Sequence, residues 1–148
     1  MACKQTEGKL RFARVNRKRR SGGKIVSQQI VSQMTGKLVV LVTCRSTKEA
    51  ERIARALVKS RLAACGNILR SPVRSVYRWK DKIESAREFL LVIKTSRRRF
   101  AELQTAVKRL HSYEVPEIIA LPIIAGSAGY LSWLAESVAP RKTPEKRG

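Results

Sequence analysis

The spacing of hydrophobic and polar positions changes several times along this chain, and each change marks an element. Residues 38–43, LVVLVT, form a continuous apolar run rich in β-branched side chains. Such a run predicts a central strand buried on both faces. Ser46-Thr47-Lys48-Glu49 follows with capping-box spacing, a hydroxyl and then a glutamate three positions on. Ala50, Ile53, Ala54, Leu57 and Val58 then recur at helical intervals with charges between them. They predict an amphipathic helix over residues 47–60 lying on a sheet.

Beyond the helix the pattern becomes alternation. Val73, Ser75, Tyr77 and Trp79 fall on one face and Arg74 and Arg78 on the other. The chain turns at Lys80-Asp81-Lys82 and returns through Phe89-Leu90-Leu91-Val92-Ile93, the pattern of two paired antiparallel strands. Length is the telling property. About 15 residues from 65 to 79, at roughly 3.3 Å each, span about 50 Å. The preceding helix of about 14 residues covers only about 21 Å. Even with Ser71-Pro72 interrupting it, such a ribbon leaves Val76, Tyr77, Trp79 and unpaired backbone groups in water. The expectation is a symmetric oligomer in which each hairpin extends a neighbour's sheet. The alternative is a hairpin curled over its own domain.

A second helix is expected after Thr95-Ser96, with Phe100, Leu103, Val107 and Leu110 on one face. Arg97, Arg98 and Arg99 at its start oppose the helix dipole and read as either a solvated face or an anion site. Pro116 and Pro122 fall within the last predicted strand, which confines that strand to a sheet edge. A short helix over residues 127–138, carrying Tyr130, Trp133 and Leu134, closes over the sheet. The order β-α-β-β-α-β plus a terminal helix is an α+β, ferredoxin-like sandwich with an extended hairpin between its second and third strands. Its last strand occupies one edge and its second strand the other.

Charge divides the chain. It has 148 residues, 32 Lys/Arg against 11 Asp/Glu, and a net charge of +21. Residues 1–37 hold 10 basic side chains against the single Glu7 and show no apolar periodicity, so they cannot bury enough to offset their ordering entropy. They read as a disordered extension, as a nucleic-acid-binding or organelle-targeting arm, or as the product of an upstream start, with Met34 the natural beginning of a shorter chain. Residues 38–138 form the domain, and residues 139–148 a basic tail. No run approaches the roughly 18 apolar residues a membrane helix needs. Cys3, Cys44 and Cys65 make an odd count with no CxxC pair, which points to reduced thiols and a cytoplasmic location.

Catalytic constellations are sparse. There is one histidine, no GxSxG and no P-loop, and the nearest carboxylate pair is Glu114 and Glu117 around a proline. An enzyme is not expected. Cys44, Cys65 and His111 are the only soft or borderline metal donors in the domain. They suit copper or zinc, but their spacing fits no closed site within one protomer, which leaves convergence at a subunit boundary. Against this, Cys65 also reads as a small buried apolar residue and His111 as the complement of a helix C-terminus. The alternative function is a basic nucleic-acid-binding module. The first strand, however, lacks aromatics and the third has only Phe89, so base stacking by the sheet is not expected and binding would be nonspecific, through the tails.

The segments LVVLVT, RLAACGNI, SVYRWKDKIE, FLLVIKT, HSYEVPEIIALPI and YLSWL, in that order over residues 38–138, closely resemble the CutA family of divalent-cation tolerance proteins. The resemblance implies a ferredoxin-like homotrimer, assembled like the PII signalling proteins, and linked to tolerance of copper and other divalent metals. No accepted enzymatic reaction goes with it, and no cofactor is obligatory. It implies ligand binding at clefts between subunits and places Cys65, Tyr77, Trp79, Lys94, Tyr113 and Glu117, with His111, at or near such a cleft. Copper ligation proposed for some members uses a first-strand cysteine and two adjacent histidines. Here those positions hold Val42 and Leu110, leaving His111, with Cys44 as a displaced ligand on the same strand face. Ser112 stands where the family usually has proline.

Overall fold

The computed structural model describes residues 35–140. The expectations for residues 1–34 and 141–148 fall outside them. The first strand, β1 (Lys37–Cys44), leads into α1 (Thr47–Lys59), β2 (Cys65–Ile68), β3 (Val73–Trp79) and β4 (Lys82–Ser96). A 3-10 turn at Arg97–Arg99 opens α2 (Phe100–Leu110), followed by β5 (Ile119–Ile123) and α3 (Ala128–Ser137). The antiparallel strands run in the order β2-β4-β1-β5, and β3 pairs with the outer half of β4. This is the expected ferredoxin-like arrangement, with β5 at one edge and β2 at the other. Pro122 stands in the edge strand, whereas Pro116 lies before it, so only one proline has to be accommodated there.

The expected 65–79 strand is two strands. Leu69 N–H still reaches the Leu90 carbonyl (2.9 Å), but the chain leaves the ladder through residues 70–72, where Pro72 has no N–H to offer. Length is instead concentrated in β4, whose 15 residues pair with β3 near one end and with β1 and β2 near the other. The hairpin turns on Lys80 and Asp81 alone, both left-handed (φ 46° and 63°), and Lys82 already pairs with Trp79. Two successive left-handed residues make the turn whose twist suits a two-residue hairpin.

One face of the sheet carries Leu38, Val40, Val42, Cys44, Leu91 and Ile93 into the core against Ala50, Ile53, Leu57, Leu103 and Val107. Helix α1 comes so close that a Cβ on Gly66 would stand 3.0 Å from Ala54 Cβ, which explains the glycine there. The opposite face carries Val39, Leu41, Val92, Ile119 and Leu121 by register. Helix α3 covers only its end near Ile123, where Leu134 and Val138 are buried with Ala64. Two arginines hold α3 in place: Arg61 donates to the Ala139 carbonyl (2.7 Å) and to that of Glu136, and Arg99 to the Val138 carbonyl (3.1 Å). Cations at a helix C-terminus satisfy its free carbonyls and its dipole together.

Candidate ligand cleft

A cavity of about 760 Å³ opens between the hairpin and the segment 112–117. Ser75, Tyr77 and Trp79 of β3 wall one side together with Glu84 and Glu88 of β4. Cross-strand pairing puts Tyr77 opposite Glu84 and Val73 opposite Glu88, so strand alternation aims these groups together. Tyr113, Glu114 and Glu117 close the other side, and Thr43 at the end of β1 contributes from the sheet. Glu88 is only 5% exposed. Burial, with the hydrogen bond and charge of Glu88, pushes the Tyr113 phenol up to about 12, so it stays a donor to that carboxylate throughout the physiological range.

Behind the cleft, Cys44 Sγ, a Glu49 carboxylate oxygen and a His111 ring nitrogen lie within 4.8 Å of one another, the one such triad among the described residues. Glu49 follows the capping box only in part. Its N–H donates to Ser46 Oγ (3.2 Å), but its carboxylate accepts from Arg45 N–H (2.9 Å) and, across the fold, from Ser112 N–H (2.7 Å). Burial works to raise its pKa, but the hydrogen bonds from Arg45 and Ser112, with His111 adding to them, win and hold it below the ordinary value. His111 Nδ1 accepts from Tyr113 N–H (3.0 Å), so Nε2 carries the proton and donates to the Thr43 carbonyl (2.9 Å). The Cys44 thiol is pushed up to about 12 by burial and then by the charges of Glu49 and Glu88.

These donors do not fit a divalent cation as they stand. A metal would have to displace the Cys44 thiol proton and take the His111 Nδ1 lone pair from Tyr113 N–H. Glu49 and His111 form a hydrogen-bonded strut that ties the start of α1 and the end of β1 to the cleft segment. Cys44 and His111, expected from sequence as ligands, are brought together with Glu49, and His111 is hydrogen-bonded to Thr43 and Tyr113. Glu49 was missed because its second partner is 63 residues away.

Among the expected cleft residues, Tyr77, Trp79, Tyr113 and Glu117 line the cavity. Cys65 and Lys94 do not. They face each other across the β2–β4 register on the open side of the sheet, where Cys65 Sγ meets Tyr130 Oη at 3.6 Å and Lys94 Nζ donates to Asn67 Oδ1. Glu84 and Glu88 went unnoticed, although their places opposite Tyr77 and Val73 were the signal. A second, basic hollow is lined by Lys37, Arg97, Arg98 and Arg99 with Glu102, and Thr35 and Pro140 share it. Arg99 is taken by Glu102 (2.8 Å) and the Val138 carbonyl.

Residues 38–137 match the family described as CutA1 divalent ion tolerance protein. The chain belongs to the CutA1 family. It is 48% identical over 99 residues to the divalent-cation tolerance protein CutA of Thermus thermophilus, covering 67% of this chain and 95% of that one. It is 45% identical over 95 residues to the human protein CutA, covering 64% of this chain and 52% of that one. The structure of the periplasmic divalent cation tolerance protein CutA from Archaeoglobus fulgidus superposes with a TM-score of 0.67 at 43% identity, over 70% of this chain and 99% of that chain. Within this CutA1 chain, Val42 is fully buried and Leu110 packs against the core. Both positions therefore strengthen packing where other members were expected to offer donors.

Proposed function

We propose that the protein is a non-enzymatic, cytoplasmic homotrimer that takes part in the response to divalent ions, copper first among them, through a ligand cleft completed at a subunit boundary. The observation that carries this reading is the uncovered apolar surface. Leu69, Ile119 and Leu121 are 42–48% exposed on the open side of the sheet, and Val76 and Ile83 on the hairpin are 67% and 65% exposed. Surface of this kind marks an association site, and the hairpin wall of the cleft is part of it. The number three follows from the resemblance to the CutA family, and the cytoplasmic location from the free thiols of Cys44 and Cys65. No helix among the described residues is long and apolar enough to cross a membrane. Sedimentation at micromolar concentration should return three chains per particle. A lone, well-folded chain would end the reading.

The response is assigned to the cleft rather than to the strut. Copper(II) titrations of the parent and of His111→Ala should give the same isotherm, while the variant loses about 1–2 kcal/mol of stability with the Thr43 and Tyr113 hydrogen bonds. A stoichiometric copper site present in the parent and missing from the variant would instead make His111 a ligand.

A further inference from the structure

We infer that the cleft takes a small organic cation, a primary ammonium or guanidinium on a short apolar stem. This rests on the ligand-cleft reading above and specifies its ligand class. The charge of the cavity is opposite to that of the chain. Among the described residues no Lys or Arg lines it, whereas four acidic side chains do: Glu84, Glu88, Glu114 and Glu117. Arg45 is near enough to lower the Tyr113 pKa but stands outside the lining.

Three aromatic rings, those of Tyr77, Trp79 and Tyr113, share the walls with these carboxylates. Aromatic faces attract cations, most strongly when the site is partly desolvated. A carboxylate beside them supplies the charge and the hydrogen-bond acceptors that an N–H₃⁺ or guanidinium fork needs. Glu88 is the anchor. It is nine-tenths buried and shares the cavity wall with Tyr113.

A bare metal ion is disfavoured by spacing. No three of the cleft carboxylates approach within the 4.8 Å that the Cys44–Glu49–His111 atoms reach, among the described residues. Acids spread around a volume of about 760 Å³ suit a ligand with length and several N–H groups. A phosphate- or carboxylate-bearing ligand would meet four negative charges and no cationic side chain among the lining residues.

Calorimetric titration of the full-length protein with agmatine, with hexanoate and ATP as anionic controls, tests this. Agmatine should bind saturably, weaken with added salt, and lose at least about tenfold in affinity on Glu88→Gln and on Trp79→Ala, since tenfold is about 1.4 kcal/mol. The exposed Glu117→Gln guards against folding artefacts, and should weaken agmatine severalfold with an unchanged melting temperature. Hexanoate or ATP binding that is lost in Trp79→Ala would preserve the cleft and sink the cation. Failure of all three probes on an intact trimer would sink both. Agmatine binding insensitive to all three substitutions would place the ligand elsewhere and overturn the inference.

Discussion

Replacing Glu49 by alanine should cost about 3 kcal/mol of stability at pH 7, the largest effect expected of any single surface-distant polar group. Its carboxylate accepts from two backbone amides, Arg45 N–H and Ser112 N–H, and hydrogen bonds to charged groups contribute about 1.5–3 kcal/mol each. Glu49 is only 7% exposed, so water does not fully replace the lost acceptor. Glutamine, which keeps one oxygen, should cost roughly half as much. Urea denaturation gives the comparison, with the midpoint moving and the slope constant. The pH dependence has a definite sign. The carboxyl is held below its ordinary 4.5 in the folded protein, so its contribution is complete above about 4.5 and lost as pH falls through the lower folded value. The gap between parent and Glu49→Gln should therefore narrow below pH 4.5. A gap that widens in acid would show that the carboxylate is not the group being held.

Leu121→Glu should abolish assembly while leaving the fold intact. Leu121 is 47% exposed on the open side of β5 and pairs with Val39, on the face opposite α1 and α2, so a glutamate there is solvated in an isolated chain. In an oligomer it would be buried without a partner. At least about 2 kcal/mol per interface is expected, a roughly thirtyfold loss of association. Sedimentation should give single chains with unaltered far-UV circular dichroism. Unchanged assembly would move the interface off this face. Because the hairpin lies in the same uncovered surface, ligand affinity at the cleft should fall with assembly.

Much of this architecture is written in local pattern. The apolar run of β1, the Ser46–Glu49 spacing and the periodicity of α1 each appear where the residues predict them, because all three depend on near neighbours. The break at residues 69–72 was signalled by Pro72, but the transfer of length to β4 was not, since alternation before Phe89 is weak. The Lys80–Asp81 turn carries no glycine or asparagine, so its left-handed backbone leaves no compositional trace. The strut is harder still. Glu49 looks like an ordinary capping residue until Ser112 arrives from the far side of the fold. Tyr77, Trp79, Tyr113 and Glu117 reached the cleft through the family resemblance, which also placed Cys65 and Lys94 there. In the single chain these two lie farther along the same open face of the sheet, and the cleft that the resemblance implies is one between subunits.

Strand β1 also has an electrical consequence. Lys37 at its start borders the arginine-lined hollow, and Thr43 near its end borders the glutamate-lined cavity, about 20 Å away at strand rise. Linings of opposite charge thus stand at the two ends of one strand. In dilute salt, where fields reach several nanometres, an approaching cation would be turned from the arginine pole and drawn toward the opposite one.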